Sequence, residues 1–288
     1  MISIIICSIN PTLCNTLGKN IENTIGIAHE IIIFDNRDKN WAISKVYNHC
    51  AEQAKFDFLC FIHEDILFLT NNWGDILTSF ADKTKNCGLI GFAGGRYVPR
   101  NFVTWGRLNR HNKREHIIQK YKNENEELID INPDNEQFAR TITLDGVFLF
   151  VKKSIWENIR FDEEKFNAFH FYDADFSFAV AQHFENYVCA LIDIKHMSIG
   201  TLNMNYCDSI ITFRDKWKSK IPMSLSALSK ISRIKEELNS ANFTITLFRK
   251  NKFSTKEIYK MIRKYNSVVF IFILLIYRQI INVPQKFK

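Results

Sequence analysis

Three short apolar runs open the chain, and two segments that can be helical separate them. The runs occupy residues 3–7, 30–34 and 58–62. The five apolar residues of 58–62 are too few for a typical helix and fit a buried strand, and the first two runs are short and β-branched. Residues 13–28 can hold a helix, and in residues 41–55 apolar side chains recur at roughly helical spacing. The order strand, helix, strand, helix, strand predicts a parallel α/β sheet.

Each predicted strand ends in polar residues, and ligands bind at this edge of such sheets. The ends are Ser8, Asp35 and the sequence His63-Glu64-Asp65, which interrupts a longer apolar stretch. If the third strand persists, alternation puts His63 and Asp65 on one side and Glu64 on the other. A carboxylate beside an imidazole can hold a hard divalent cation. The alternative is a polar strand end that only faces water.

Later segments predict further strands of the sheet and one long surface loop. Residues 87–95 predict a strand that runs into a glycine-rich turn, without the spacing of a dinucleotide-binding fingerprint. Residues 106–140 are polar and charged, and because they have little to bury they predict an inserted, mobile surface loop. Residues 142–151 return to a β-rich pattern interrupted by Asp145-Gly146, where the glycine indicates a bulge or a close backbone approach.

A second group of candidate residues, Asp173 and Asp175, lies among aromatic residues. If a helix begins near residue 174, both carboxylates lie at its amino end, where the helix dipole favours negative charge. Capping explains one of them, whereas a carboxylate partly removed from water is more basic and suits a general base. His196 follows another apolar strand, and a lone histidine in that place is either structural or a metal ligand.

Composition indicates a globular protein in a reducing compartment. The 288 residues are 46% hydrophobic and 24% charged, which fits a packed domain rather than disorder. Seven cysteines form no Cys-x-x-Cys pair, so we expect free thiols, mostly buried, and a cytoplasmic address. The first seven residues are apolar but lack the basic start of a signal peptide, so they fit a first strand better.

The net charge of +7 conceals a basic C-terminal part. Residues 209–288 contain 17 Lys and Arg against 4 Asp and Glu, whereas residues 1–208 contain 21 against 27. Ser254 and Glu257 form a capping box for a helix that leads into ten apolar residues, 268–277, too few for a bilayer span of about 20. This segment can lie in a membrane interface, or pack as a buried helix on the first domain or in a homo-oligomer. A nucleic-acid partner is not expected, because the basic block lacks a recognisable binding motif.

The order of these motifs resembles family 2 type glycosyltransferases. Residues 3–10 are similar to the opening strand of these enzymes and residues 30–36 to their second strand. The sequence His63-Glu64-Asp65 resembles their DXD motif with His in the first position, and residues 172–175 resemble their Glu-Asp-x-Asp motif with Tyr in place of Glu. The closest resemblance is to a prokaryotic glycosyltransferase-like subgroup linked to capsule and surface polysaccharide synthesis.

The resemblance implies a GT-A type nucleotide-diphospho-sugar transferase fold over residues 1–220, α/β with a mixed, mainly parallel sheet flanked by helices. Residues 221–288 are then a basic, mainly helical C-terminal extension. By the same resemblance Asp173 is the catalytic base, while Asp65 and His196 bind a divalent cation, Mn²⁺ or Mg²⁺. It also implies that the nucleotide sugar contacts Cys7, Ser8, Asp35, Asn36, His63, Gly146 and Asp175.

The expected activity is that of a hexosyltransferase-like enzyme. It moves a sugar from a nucleotide-diphosphate donor to a saccharide or lipid-linked saccharide acceptor, with inversion and with metal assistance. The expected place is the cytoplasm or the inner face of the membrane, with peripheral membrane contact through residues 255–288. One alternative is a sugar-nucleotide nucleotidyltransferase, although no glycine-rich phosphate loop with Lys or Arg follows the first strand. The other is a non-catalytic GT-A-like protein that binds membrane or partner proteins.

Overall fold

The computed structural model of the chain describes residues 1–121, 125–198 and 202–281. Its strands are β1 (Ile2–Ser8), β2 (His29–Asp35), β3 (Phe58–His63), β4 (Ile66–Phe68), β5 (Cys87–Gly91), β6 (Ala93–Gly95), β7 (Tyr97–Val98), β8 (Lys113–Lys120), β9 (Glu126–Ile131), β10 (Phe138–Thr141), β11 (Thr143–Leu144), β12 (Phe148–Lys152), β13 (Glu185–Cys189), β14 (Ile194–His196) and β15 (Met223–Ser224). Its α-helices are α1 (Pro11–Thr24), α2 (Ile43–Gln53), α3 (Trp73–Lys83), α4 (Lys153–Asn158), α5 (Tyr172–Val180), α6 (Met204–Trp217), α7 (Lys230–Lys250), α8 (Thr255–Tyr265) and α9 (Val268–Ile281). Short 3-10 helices span Trp105–Arg107 and Arg110–Asn112.

The main sheet has the strand order β10-β13-β5-β12-β3-β1-β2. Parallel pairing joins β2 to β1 and β1 to β3, as the alternating pattern of the sequence predicts. β12 runs antiparallel to β3 and β5, and β10 runs antiparallel to β13, while β13 is parallel to β5. The predicted mixed α/β sheet is confirmed, but its described pairings divide evenly between the two directions and are not mainly parallel.

Helices cover both faces of the main sheet because its central strands carry apolar side chains on both sides. Ile4 of β1 and Ile62 of β3 belong to a buried cluster that includes α1 and α3. Ile5 and Phe61, the neighbouring residues on the same strands, belong to a second cluster with α2, α4 and α5. Burial on both faces explains why these strands appear in the sequence as continuous apolar runs.

Residues 106–140 do not form the predicted surface loop. They contain the antiparallel pair β8 and β9, and β8 lies inside a second sheet with the order β11-β6-β8-β14-β4. Polar side chains of β8 find partners there, since buried Arg114 pairs with Asp134 and His116 Nε2 lies 2.8 Å from Asp193 Oδ1. The prediction was wrong because polar residues that are buried against distant partners leave no apolar pattern in the sequence.

The C-terminal extension packs on the preceding part of the chain through a third apolar cluster. This cluster joins Phe102 and Phe213 to Phe248 of α7, Ile262 of α8 and Leu274 of α9. The extension is mainly helical as far as the structure describes it, and residues 282–288 of the predicted membrane contact lie outside the described residues. Among the described residues, no helix combines the length and the apolar character needed to cross a membrane.

Two adjacent glutamates of α7 hold the segment that leads into β8. Glu237 accepts hydrogen bonds from the Tyr97 hydroxyl at 2.7 Å and from the backbone N–H of Arg100 at 3.1 Å. Glu236 accepts a hydrogen bond from the backbone N–H of Asn109 at 3.1 Å. Both glutamates are buried, and burial raises the pKa of Glu237. The extension therefore fixes a segment of the preceding chain through carboxylates as well as through apolar contacts.

Replacing Glu237 with alanine leaves the Tyr97 hydroxyl and the Arg100 N–H without an acceptor in a buried environment. We expect the free energy of unfolding to fall by about 1–3 kcal/mol, the usual cost of unpaired buried polar groups. Urea denaturation measures this change. The matched control Glu164→Ala removes an exposed glutamate and should change the free energy by less than about 0.5 kcal/mol. Equal stability of the two variants would contradict the anchoring role of Glu237.

Candidate active site

Three possible metal ligands, His63, Asp65 and His196, meet at the end of β3. One ligand atom from each lies within 4.8 Å of the other two. His63 ends β3, Asp65 lies in the turn to β4, and His196 ends β14, which pairs with β4. Glu64 turns the other way, where it accepts a hydrogen bond from the Ser8 hydroxyl at 2.6 Å. The prediction that His63 and Asp65 share one side, opposite Glu64, is confirmed.

Gln119 of β8 orients the ring of His196. The Gln119 Nε2 group donates to backbone carbonyls, including that of His196 at 3.2 Å. Gln119 Oε1 therefore acts as the acceptor for His196 Nδ1, at 3.1 Å. The lone pair of His196 is then on Nε2, which lies 3.6 Å from Asp65 Oδ2. An outer hydrogen bond of this kind fixes the tautomer that binds a metal.

Tyr172 orients the ring of His63 in the same way. The Tyr172 hydroxyl donates to the backbone carbonyl of Gly146 at 3.1 Å. Its oxygen is therefore the acceptor for His63 Nε2, at 2.7 Å, and the His63 lone pair is on Nδ1. Burial lowers the pKa of His63, so this imidazole is neutral at neutral pH, the form in which it binds metals.

The carboxylate of Asp65 is suited to a bound cation. Its Oδ1 atom is buried and has no hydrogen-bond partner among the described residues. Burial by itself raises the pKa of Asp65, but its interactions with His196, Ser198 and His63 hold the pKa well below its usual range. A charged carboxylate with an unpartnered buried oxygen, beside two imidazole lone pairs, fits a divalent cation.

Asp173 lies at the amino end of α5, next to Tyr172. Its Oδ2 atom accepts a hydrogen bond from the backbone N–H of Gly146 at 2.8 Å. Burial, and then the negative charge of Asp145, raise the pKa of Asp173 to about 7. Backbone N–H groups act in the opposite direction without offsetting them. A carboxylate with this pKa can accept a proton near neutral pH, which is the property that a general base requires.

Asp145 is a site residue that the sequence interpretation misses. It lies in the break between β11 and β12, where its Oδ2 accepts from Trp105 Nε1 at 3.1 Å and its Oδ1 from the backbone N–H of Val147 at 3.0 Å. Its charge acts on both Asp173 and His63. The available signal is the Asp-Gly pair that interrupts a β-rich run, of which only the glycine is predicted to belong to the site.

Residues 3–206 match the sequence model of a family described as a glycosyltransferase-like family. The chain belongs to this family. No curated protein sequence matches it.

Among solved structures, the chain is similar in fold to S. aureus TarS 1-349. The match to its complex with UDP has a TM-score of 0.53 and 11% identity, and covers 89% of this chain and 76% of that chain. The match to TarS 1-349 alone has a TM-score of 0.52 and 13% identity, with the same coverage. GalNAc-T7 with UDP, GalNAc and Mn²⁺ gives a TM-score of 0.50 and 8% identity over 82% of this chain, which spans 54% of the GalNAc-T7 chain. These similarities confirm the predicted GT-A fold.

In this glycosyltransferase-like chain the predicted donor residues of β1 and β2 lie side by side at one edge of the sheet. Ser8 is opposite Asp35 in the parallel register, and Cys7 is opposite His63. The side chain of Asn36 exchanges two hydrogen bonds of 2.9 Å with the backbone of the following loop. Burial raises the pKa of Cys7 to about 12, so this thiol is neutral. Contact of these residues with a donor stays a prediction.

Asp175 lies away from this edge. It is buried, its Oδ2 atom accepts from Lys216 Nζ at 2.7 Å, and its Oδ1 atom accepts from Trp217 Nε1 at 2.7 Å. The predicted contact between Asp175 and the donor is therefore wrong, because both oxygens are engaged by α6 inside the protein. Asp175 instead fastens α5 to α6.

The substitution Gln119→Leu tests whether the histidine cluster binds a metal. We expect Mn²⁺ affinity to fall by about 10–100-fold, because His196 loses the partner that fixes its tautomer. Isothermal titration with MnCl₂ measures the affinity. The control Gln53→Leu also removes a glutamine that contacts a histidine, His49, on an exposed helix surface, and should leave Mn²⁺ binding unchanged. Equal Mn²⁺ affinity in the two variants would show that the hydrogen bond between Gln119 and His196 does not support metal binding.

The substitution Gly146→Ala tests the close packing around Tyr172. A Cβ atom at position 146 would overlap the Tyr172 hydroxyl and lie 3.0 Å from Asp173 Cβ. We expect the free energy of unfolding to fall by about 1–3 kcal/mol from overpacking, and Mn²⁺ affinity to fall as Tyr172 moves away from His63. Urea denaturation and metal titration measure the two effects. The control Gly18→Ala meets nothing within 4 Å and should keep both properties or raise stability slightly. Wild-type behaviour of Gly146→Ala would argue against a steric requirement for glycine.

Proposed function

We propose that this chain is an inverting, metal-assisted glycosyltransferase that moves a sugar from a nucleotide-diphosphate donor to an acceptor hydroxyl. The observation that carries the proposal is the connection between two chemically different groups. The metal-ligand cluster of His63, Asp65 and His196 is joined through the Tyr172 hydroxyl to the helix end that holds Asp173. One group suits a leaving diphosphate and the other suits an attacking hydroxyl, in a chain of the glycosyltransferase-like family.

His63, Asp65 and His196 would hold the cation. Two imidazoles and one carboxylate favour a transition-metal ion such as Mn²⁺, since Mg²⁺ prefers oxygen ligands. When bound, the cation supplies charge neutralisation for the diphosphate leaving group. The presence of UDP and Mn²⁺ in the GalNAc-T7 structure supports this choice. Gln119 and Tyr172 keep the two imidazoles in the tautomers and orientations that metal binding requires.

Asp173 acts as the general base. It takes the proton of the acceptor hydroxyl while the acceptor oxygen forms a bond to the anomeric carbon of the donor sugar. The bond between that carbon and the diphosphate oxygen breaks, and its electron pair leaves with the diphosphate. A single displacement of this kind inverts the configuration of the sugar. The Gly146 N–H orients the Asp173 carboxylate, and the charge of Asp145 increases its basicity.

The edge formed by Cys7, Ser8, Asp35 and Asn36 would receive the nucleoside. Asp35 stays exposed to solvent beside its contacts with Arg37, so its carboxylate oxygens are accessible to ribose hydroxyls as hydrogen-bond acceptors. The side chains of Ser8 and Asn36 are held by Glu64 and by the backbone of the following loop, so they shape this edge. The protein supplies a positioned surface here, and positioning is a large part of transfer catalysis.

A saccharide or lipid-linked saccharide is the acceptor that we propose. The ring of Phe169 is 57% exposed, and its centroid lies 6.0 Å from that of His63. It presents an aromatic surface at the mouth of the site, against which the apolar face of a sugar can pack. We propose surface polysaccharide or glycoconjugate synthesis as the setting of the reaction, and the resemblance to the capsule-linked subgroup supports this proposal.

Replacing Asp173 with asparagine tests the assignment of the base. We expect sugar transfer to fall by about 10²–10⁴-fold, while binding of the matching nucleoside diphosphate with Mn²⁺ is retained, because the variant keeps the metal ligands. Product analysis with labelled sugar nucleotides and thermal-shift titration with nucleoside diphosphates measure the two properties. Full activity of Asp173→Asn would remove the base from the mechanism. Pyrophosphate release from a nucleoside triphosphate and a sugar phosphate would favour nucleotidyl transfer, and the absence of any product would favour a non-catalytic protein.

The pH dependence of transfer tests the same group. Asp173 must be deprotonated to act as a base, and its pKa is about 7, so kcat/KM should rise as the pH increases through about 7. The substitution Asp145→Asn removes the neighbouring negative charge that raises this pKa, so the acidic limb should move to lower pH. The control Asp75→Asn removes an exposed carboxylate on α3 and should leave the profile unchanged. An acidic limb that is the same in all three proteins would show that another group controls it.

A further inference from the structure

One side of helix α9 contacts no other part of the chain among the residues that the structure describes. The helix buries Ile271 and Leu274 against α7 and α8, and its Tyr277 hydroxyl donates to Asn239 Oδ1 of α7 at 2.6 Å. The apolar face of α9 consists of large side chains that are 39–69% exposed: Val268, Val269, Phe272, Ile273, Leu275 and Ile276. Their spacing places them on one continuous side of the helix. A continuous patch of large, exposed apolar side chains on a folded protein marks a docking site.

The surroundings of this face are positively charged. Helix α8 carries four exposed cations, Lys256, Lys260, Arg263 and Lys264. Its single acidic residue is Glu257. Arg278 lies near the other end of α9 and is held by the side chain of Asn242 at 2.8 Å. Positive charge therefore flanks the apolar face of α9 at both ends of the helix.

A cationic cavity lies where α8 leads into α9. It has a volume of about 320 Å³ and is lined by Arg100, Lys218, Ile221, Lys264 and Tyr265. Lys264 pairs with Asp215, and the charges of Lys218 and Arg100 act on Asp215 and Glu237 respectively, but neither Arg100 nor Lys218 forms a close ion pair in the part of the chain that the structure describes. Two cations that lack a close ion pair and share a cavity of about 320 Å³ suit a phosphate group.

We propose that the apolar face of α9 and the cationic cavity together bind the surface of an anionic phospholipid bilayer. The 14 residues of α9 are about 21 Å long, which is too short to cross a bilayer but sufficient for a helix that lies in its interface. The apolar face enters the boundary between headgroups and acyl chains. The cavity receives a lipid phosphate, and the exposed lysines and arginine of α8 lie over the anionic surface.

Charge decides between a bilayer and a second copy of the chain. A symmetric dimer through α9 would bring the same basic surface of each copy against the other. Residues 209–288 carry 17 Lys and Arg against 4 Asp and Glu, so such a contact would repel itself, whereas an anionic membrane attracts it. This inference does not depend on the transfer reaction, because it uses none of the residues around Asp65 or Asp173.

Co-sedimentation of the full chain with lipid vesicles tests the proposal. We expect binding to vesicles of phosphatidylcholine with 30% phosphatidylglycerol, weaker binding at high salt, and little binding to phosphatidylcholine alone. The double substitution Phe272→Ser/Leu275→Ser should weaken binding by about tenfold or more. Lys218→Ala and Arg100→Ala should each weaken binding to the anionic vesicles by about fivefold.

Exposed apolar residues elsewhere on the protein provide a matched control. Ile33→Ser/Leu128→Ser changes two apolar residues that are 50% and 52% exposed on strands β2 and β9, and should bind like the wild type. Circular dichroism and thermal denaturation confirm that each variant is folded. Equal loss of binding in this control and in Phe272→Ser/Leu275→Ser would overturn the assignment to α9.

Three other outcomes would overturn the proposal. The first is equal binding of wild type and Phe272→Ser/Leu275→Ser to the vesicles. The second is a stable dimer in analytical ultracentrifugation that Phe272→Ser/Leu275→Ser dissociates, with no vesicle binding by the wild type, which assigns the apolar face of α9 to a second copy. The third is binding of inorganic phosphate that Lys218→Ala abolishes, with no preference for anionic over neutral vesicles, which assigns the cationic cavity to a free anion.

Discussion

The hydroxyl group of Tyr172 contacts two segments that are far apart in the sequence. It accepts from His63 at the end of β3 and donates to Gly146 between β11 and β12, while its own backbone begins α5. This one group therefore sets the tautomer of a possible metal ligand and fixes the position of the following residue, Asp173. The glycine at position 146 is required because a Cβ atom there would occupy the space of the hydroxyl. The Tyr172 hydroxyl thus connects the cluster of possible metal ligands to the helix end that carries Asp173 through one buried contact.

Two aspartates in this site have opposite properties because their surroundings differ. Asp65 and Asp173 are both withdrawn from water, which disfavours the charged form of each. Asp65 faces imidazoles and keeps its charge, whereas Asp173 faces the negative charge of Asp145 and has a pKa of about 7. One carboxylate is thereby suited to a cation and the other to a proton, a division that acid and base chemistry at neutral pH requires.

The C-terminal extension contributes to the order of the site as well as to the surface of the protein. Buried carboxylates of α7 hold the segment from Tyr97 to Asn109, and that segment carries Trp105, which donates to Asp145. The same extension exposes the apolar face of α9 on its other side. The apolar face of α9 therefore lies on the same packed extension that holds, through α7, the segment whose Trp105 contacts Asp145.

The sequence by itself determined the parallel arrangement of β1, β2 and β3, the divergence of Glu64 from His63 and Asp65, and the position of Asp173 at a helix end. Each of these follows from periodicity or from neighbours in the chain, and such local patterns are readable in one sequence. Only the tertiary structure decided that residues 113–120 and 126–131 form strands, that Gln119 contacts His196, that the charge of Asp145 acts on Asp173, and that α6 engages both oxygens of Asp175. These outcomes depend on hydrogen bonds and burial between residues tens of positions apart, and no local pattern records which distant group satisfies a buried polar side chain.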